Sequence, residues 1–289
     1  MDITRLDQST FRADLEELDQ WLSDRGFIQR DRFRLYKANI EEMARLEDRS
    51  DAAQVFSQVE NEGRVTEILS SYVEGIEFVD ALTTLRAKQI TIPDHLLSKV
   101  LDGPPDAARE NHKSNQGRNA MFELSMGAMA AKQDFQPVLG QANPDVEFQF
   151  QGRRVLLECK RVFSDKRVLD NIAGAIRQLD KSVDTDNADI GLVAISISRL
   201  AHQGNGYWEA PSLEQGRTHL AQAMRRLVGD LDARLRKLVR PSTAGVVFFV
   251  SGPLRVENIG YTIATEGIVY PMNLAETDFL RQLASALRV

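Results

Sequence analysis

An acid and an acid-x-lysine pattern lie on either side of a predicted turn in this chain. Asp145 precedes the strand-like residues 146–150, and Glu158 and Lys160 end a second strand-like run that begins at residue 153. Gln151-Gly152 separates the two runs, which is typical of a two-residue hairpin turn, because glycine adopts a positive φ at little cost. Such a hairpin would place Asp145 directly opposite Glu158, with the two Cβ atoms roughly 5 Å apart.

This arrangement of charges favours a metal site. Two facing carboxylates repel each other unless a cation lies between them. Magnesium is often bound through one or two carboxylates, with water and substrate phosphate completing its coordination. Side chains alternate along a strand, so Lys160 would share the face of Glu158 and Cys159 would point to the opposite face. Cys159, the only cysteine in the chain, is therefore interpreted as a core residue rather than a nucleophile.

At Pro144-Asp145 and Glu158-Cys159-Lys160 the chain resembles the PD-(D/E)xK nuclease superfamily, which has the restriction-endonuclease-like fold. The resemblance covers residues 111–200 and, more loosely, the C-terminal remainder, whereas residues 1–110 resemble no known family. It implies hydrolysis of phosphodiester bonds, with DNA as the expected substrate, Mg²⁺ as the metal and Mn²⁺ as its substitute. Asp145 and Glu158 would hold the metal, and Lys160 would act in catalysis. The superfamily is rich in enzymes that act against foreign DNA, which suggests a role in defence.

Two predicted helices extend this resemblance. Residues 117–133 have helical character, with Ser114 or Asn115 as a candidate cap, and Glu123 is their only acid. A helix at this place often supplies the superfamily with another carboxylate, so Glu123 is a candidate catalytic and metal-binding residue. Apolar residues at helical spacing over residues 168–183 predict a second helix. It carries Gln178, which resembles a substrate-binding glutamine of exonuclease-like members. An exposed glutamate and an ordinary surface glutamine are the alternative interpretations.

The chain divides into two parts by pattern and by charge. Apolar stripes at helical spacing run through residues 11–101, and residues 102–106 form a Gly-Pro-Pro connector. Strands predicted at residues 190–197 and 244–250 alternate with helices at about residues 214–239 and 277–287. We therefore expect a helical interaction module over residues 1–105 and a nuclease-like α/β domain over residues 106–289, with a mixed sheet flanked by helices.

The acidity of the chain lies in its first part. Residues 1–110 hold 14 Lys or Arg against 23 Asp or Glu, whereas residues 111–289 hold 22 against 19. The N-terminal helices are therefore not expected to bind nucleic acid, and self-association or recruitment of a protein partner is their predicted role. The simpler alternative is that they only pack on the nuclease-like domain. No apolar run is long enough to span a membrane, so a cytoplasmic protein without membrane contact is expected.

Two other functions are compatible with the sequence. The chain could be a non-catalytic nucleic-acid-binding or assembly protein on the same fold, although Asp145, Glu158 and Lys160 are all present. It could also be a helical interaction protein whose α/β part is structural. The acidic helices fit the second alternative, but that alternative does not account for two opposed carboxylates.

Overall fold

The computed structural model describes residues 8–28, 30–47, 61–102, 116–184, 189–201, 207–257 and 260–287. Its N-terminal part consists of helices α1 (Gln8–Asp24), α2 (Asp31–Glu47), α3 (Val65–Ala87) and α4 (Asp94–Leu101). Gly26 and Gly63 separate helices with φ values of 84° and 67°, as expected of glycines at helix ends. The predicted apolar stripes face inward and are buried at Phe11, Leu15, Leu18, Leu22, Phe33, Tyr36, Ile40, Ile68, Leu69, Ile76, Val79 and Leu82.

Strands and helices alternate in the second part. The elements are α5 (Gln116–Lys132), β1 (Val138–Leu139), β2 (Val146–Phe150), β3 (Arg153–Arg161), α6 (Val168–Leu179), β4 (Ile190–Ser196), α7 (Ser198–Ala201), β5 (Trp208–Ala210), α8 (Leu213–Leu235), β6 (Gly245–Val256), β7 (Gly260–Pro271) and α9 (Thr277–Leu287). Short 3-10 turns at Asp165–Arg167, Arg236–Leu238 and Leu274–Glu276 join some of them. Throughout the described ranges, each helix is too short or too polar to cross a bilayer.

Within the described residues, seven strands form one mixed sheet, so the α/β expectation is confirmed. Strands β1, β2 and β3 are antiparallel neighbours, and β3, β4 and β6 run parallel. Residues 245–249 of β6 pair with β4 and residues 254–256 pair with β5, while β7 pairs antiparallel along the length of β6. Strand β3 therefore has an antiparallel neighbour, β2, on one side and a parallel neighbour, β4, on the other.

Several boundaries differ from those predicted. The helix expected over residues 168–183 ends at Leu179, so Val183 packs beside Gly191 from a loop. Strand β6 runs beyond Val250 through Pro253, which lies in the short stretch that pairs with neither β4 nor β5. Because Pro253 pairs with neither β4 nor β5, its lack of a backbone N–H removes no hydrogen bond to those strands. The candidate caps Ser114 and Asn115 lie outside the described residues, as does the boundary between residues 105 and 106.

The sheet has two buried faces with different helical cover. One face carries Val155, Leu157 and Cys159 of β3 and packs in a core that includes α1 to α5 and α9. The other face carries Leu156 and packs with α6 and α8. Because successive side chains of a strand point to opposite faces, Glu158 lies on the side of Leu156. The N-terminal helices thus cover one face of the sheet and share its core.

A cluster of buried charges connects these helices with the end of β3. Arg118 Nε of α5 lies 2.6 Å from Glu74 Oε1 of α3, and Arg32 Nη2 of α2 lies 3.2 Å from Glu74 Oε2. Arg161 Nη2 of β3 approaches Glu74 Oε1 at 3.9 Å, and Tyr36 donates a hydrogen bond to Glu74 Oε2. Burial opposes ionisation of Glu74, but Arg118, Arg32 and Arg161 outweigh it and lower its pKa to about 2. This carboxylate is therefore ionised and well satisfied.

Replacing Glu74 should destabilise the protein strongly. Glu74→Ala would leave Arg118 and Arg32 buried without their carboxylate, and breaking a buried ion pair in this way costs about 3–5 kcal/mol. Lys88→Ala, which removes the partner of Asp134 in an exposed pair, is the matched control, with an expected change below about 1 kcal/mol. Urea unfolding followed by circular dichroism measures both. Similar losses of unfolding free energy in the two variants would show that the buried charges around Glu74 contribute no more to stability than an exposed ion pair does.

The shared core also predicts the behaviour of a truncated chain. Removal of residues 1–101 would expose the sheet face that α1 to α4 help to cover, including apolar side chains that pack with Leu82 and Leu97. We expect the remaining chain to aggregate or to unfold without a cooperative transition, as judged by size-exclusion chromatography and thermal circular dichroism. A soluble fragment with a sharp melting transition would show that the α/β part has a sufficient core of its own.

Candidate active site

The predicted hairpin and its register are confirmed. Gln151 and Gly152 form the turn with φ values of 51° and 75°, which is the primed geometry that suits the twist of a hairpin. Phe150 pairs with Arg153 and Val146 pairs with Leu157. The pairing ends at Val146 and Leu157, so Asp145 and Glu158 are the next residue of each strand, and their predicted opposition lies one step beyond the paired residues.

Lys160 joins the two carboxylates. Its Nζ lies 3.0 Å from Glu158 Oε2 and 3.6 Å from Asp145 Oδ2. Asp145 Oδ2 also accepts a hydrogen bond of 2.7 Å from the backbone N–H of Cys159, which holds the acid against the end of β3. Burial disfavours the ammonium, but Asp145 and Glu158 outweigh this effect and raise the pKa of Lys160. Lys160 is therefore charged and lies within reach of both acids.

Glu158 is the most constrained group of the site. Its side chain is 0% exposed, and its Oε1 has no hydrogen-bond donor among the described residues. Burial first, and Asp145 second, raise the pKa of Glu158 to about 7, while Lys160 acts in the opposite direction. Buried polar atoms usually have a partner, so an oxygen without a donor beside a second carboxylate marks a place where a cation fits.

Glu123 is carried by helix α5 and lies near Asp145. Helix α5 packs on the sheet face that carries Cys159, and Glu123 Oε1 accepts a 2.9 Å hydrogen bond from the N–H of Gly140. Burial and the nearby Asp145 raise the pKa of Glu123 to about 8, against the opposing influence of the Gly140 N–H, Lys99 and Lys160. Glu123 is therefore protonated at neutral pH.

The three predicted acids do not form a closed cage. Across the described ranges, no three His, Cys, Asp or Glu residues are grouped so as to hold a metal ion. Lys160 brings Asp145 and Glu158 together, and Glu123 on α5 lies near enough to interact electrostatically with Asp145 and Lys160. A magnesium ion, which commonly keeps several waters and takes one or two carboxylates, fits Asp145 and Glu158 as its protein ligands.

Gln178 lies close to the motif, but its hydrogen bond is to the protein. Its Nε2 donates a 2.9 Å hydrogen bond to Asn143 Oδ1, two residues before Asp145. Helix α6 therefore holds the loop that presents Asp145. Asn143 was not identified from the sequence, although its place directly before Pro144-Asp145 was a usable signal. Gly140 was also missed, because a backbone N–H leaves no trace in the amino-acid pattern.

Cys159 points away from Glu158, as predicted, and is buried in the core that includes α5. Burial, together with Asp145 and Glu123, raises the pKa of its thiol well above its usual value. A nucleophilic cysteine requires an accessible thiolate, so the structure favours a core role for Cys159.

No protein-family model, curated protein or solved structure shows significant similarity to this chain. The functional argument therefore rests on the residues of the site and their geometry.

The raised pKa of Glu123 predicts how stability depends on pH. Folding favours the protonated acid, so its stabilising contribution is complete below its ordinary pKa of 4.5 and is lost as pH rises towards about 8. In EDTA, the melting temperature of the wild type should fall over this range by more than that of Glu123→Gln. The glutamine keeps an acceptor for Gly140 and does not titrate.

Glu276→Gln serves as the control for this experiment, because Glu276 pairs with Arg153 away from the site. Its melting temperature should follow the wild type across the pH series. The interpretation is contradicted if Glu123→Gln loses as much stability with rising pH as the wild type does.

Proposed function

We propose that this protein is a divalent-metal-dependent nuclease that hydrolyses phosphodiester bonds, with DNA as its substrate. The observation that carries the proposal is the fully buried Glu158, whose Oε1 has no donor in the described structure and whose neighbour across the hairpin is Asp145. Two carboxylates that share the single ammonium of Lys160 favour the binding of a further cation, and the resemblance at Pro144-Asp145 and Glu158-x-Lys160 implies Mg²⁺ as that cation.

Each group has a separate role in this proposal. Asp145 and Glu158 hold Mg²⁺, or Mn²⁺ in its place, and the bound metal supplies a Lewis acid and a water of lowered pKa. Lys160 faces the same site with its ammonium and stabilises negative charge that develops on the scissile phosphate. The Cys159 N–H and the Gln178–Asn143 hydrogen bond orient Asp145. Glu123 remains a candidate third acid of the site, and it acts by its electrostatic interaction with Asp145. We also propose a role against foreign DNA, for which the resemblance to the superfamily is the only support.

One observation favours a second function. Lys160 already contacts both carboxylates, and an Asp145–Lys160–Glu158 triad can stabilise a fold without any metal. The chain would then be a non-catalytic nucleic-acid-binding or assembly protein on the same fold. The two functions differ in whether Mg²⁺ binds the carboxylates and in whether nucleic acid is cut.

Cleavage assays separate the two functions. Purified protein is incubated with circular DNA, linear DNA and RNA in Mg²⁺, Mn²⁺ or EDTA. We expect metal-dependent cleavage of DNA, and a loss of about a hundredfold or more in each of Asp145→Ala, Glu158→Ala and Lys160→Ala. Glu147→Gln is the matched control, because Glu147 lies one pleat away on β2, is paired with Arg154 and should not affect cleavage. Gln178→Ala should have a smaller effect than any residue of the triad.

Thermal melting of Lys160→Met gives an independent reading of the same site. Methionine removes the ammonium and leaves two carboxylates unneutralised, so Mg²⁺ should stabilise this variant more than it stabilises Lys160→Met/Glu158→Gln. Cleavage retained in Asp145→Ala, or melting of Lys160→Met that is unaffected by Mg²⁺, would contradict a metal held by Asp145 and Glu158.

A further inference from the structure

Helix α8 and the turn that follows it are rich in positive charge. Residues 213–240 contain seven Lys or Arg against three Asp or Glu, in a chain whose net charge is −6. The apolar side chains of the helix are directed into the sheet and are buried at Leu220, Met224, Val228, Leu231 and Leu235. Its charged side chains therefore lie on the surface that faces solvent.

Five of these cations have no acidic partner in the part of the chain that the structure describes. Arg217 pairs with Glu266, and Arg236 Nε lies 2.9 Å from Asp232 Oδ2. The remaining cations are exposed and form no ion pair with the acidic residues that the structure describes; they are Arg225, Arg226, Arg234, Lys237 and Arg240. We call these five residues the basic surface.

Helix stability explains only part of the basic surface. Cations in the last turn of a helix interact favourably with its macrodipole, which accounts for Arg234 and the residues after it. Arg225 and Arg226 lie near the middle of the helix, where the macrodipole has little effect. Neither the macrodipole nor an ion pair with the described acidic residues therefore accounts for these two arginines.

The basic surface belongs to the layer that covers the same face of the sheet as the candidate active site. Helices α6 and α8 pack in one core with Leu156, and Glu158 and Lys160 share the face of Leu156 by strand alternation. Helices α1 to α3, which together hold 6 Lys or Arg against 13 Asp or Glu, cover the opposite face. The two helical layers of the protein therefore differ in charge, and the positive layer is the one beside the carboxylate pair.

We propose that the basic surface binds the phosphate backbone of a nucleic acid and holds it outside the cleavage site. Residues 225–237 extend along about 18 Å of helix, while duplex DNA carries one charge per about 1.7 Å, so several phosphates lie within their reach. Arginine offers a planar fork of donors that matches phosphate oxygens. Such contacts are independent of base sequence. The identity of the ligand rests on the proposed function.

An anionic membrane fits this surface less well than a nucleic acid does. Helices that lie on membranes present an apolar face next to their cations and bury it among the lipids. The apolar face of α8 is already buried against the sheet, so only charge is left for contact. The acidic helices of a second copy are another anionic partner, and the experiment below distinguishes it.

The test compares two triple variants of the full chain. Arg225→Gln/Arg226→Gln/Arg234→Gln removes three charges from the basic surface. The control, Arg34→Gln/Arg255→Gln/Arg281→Gln, removes three exposed charges that are each paired with an acid. Binding to a labelled duplex of roughly three helical turns is measured by fluorescence anisotropy in EDTA, over a series of salt concentrations. The first variant should bind the duplex about tenfold more weakly than the wild type. The slope of the logarithm of its binding constant against the logarithm of salt concentration should be shallower by about 0.9 for each lost phosphate contact.

The outcomes separate this proposal from the proposed hydrolysis. If the two triple variants bind the duplex equally well, the proposal that the basic surface binds nucleic acid is wrong. The proposal is also wrong if the substitutions in the first variant change only the sedimentation of the protein or its binding to phosphatidylserine vesicles. If the wild type cuts DNA in Mg²⁺ while both variants bind equally, the basic surface alone is wrong. If only the first variant loses duplex binding while the wild type cuts nothing, the basic surface stands and the hydrolysis is wrong.

Discussion

A carboxylate buried in the central strand is the constraint on which the candidate site depends. Glu158 is completely enclosed, and burial of a charge is tolerated only where partners compensate it. Lys160 on the same strand and Asp145 across the hairpin are the two groups that meet it, one attractive and one repulsive. Their meeting requires the Gln151-Gly152 turn, because a register shifted by one residue would send Asp145 to the other face. The charge arrangement of the site therefore depends on the turn, which sets the register of β2 against β3.

A second buried glutamate shows what a satisfied acid looks like in the same molecule. Glu74 receives donors from Arg118, Arg32 and Tyr36, and its pKa is lowered to about 2. Glu158 has one cationic partner and an acid beside it, and its pKa is raised to about 7. Both acids are enclosed, so burial alone does not separate them. Glu74 has the environment of a structural ion pair, whereas Glu158 keeps an oxygen without a donor among the described residues.

The N-terminal helices are an integral part of this arrangement. They supply Glu74, which reaches Arg161 at the end of β3, directly after the motif lysine. Asn119 of α5 holds the same end of β3 by accepting a 2.9 Å hydrogen bond from the backbone N–H of Arg161. The acidic helices cover one face of the sheet and leave the other to α6 and the basic α8. Their negative charge is thereby kept away from the face that carries Glu158 and Lys160.

The sequence by itself determined the local features of this protein. Positive φ at Gly152, alternation along β3, the helical stripes through Phe11 and Leu82, and the closing helix at residues 277–287 all follow from short-range sterics and periodicity, and the structure confirms them. The short strands β1 and β5 were not predicted, because only two and three residues carry their pattern, and the twelve-residue strand β7 was also missed. Only the tertiary structure decided that Glu123 of α5 comes near Asp145, that Gln178 contacts Asn143, and that the N-terminal helices share the core of the sheet. These relations depend on which face a helix covers, and amino-acid spacing along a single segment does not encode that choice.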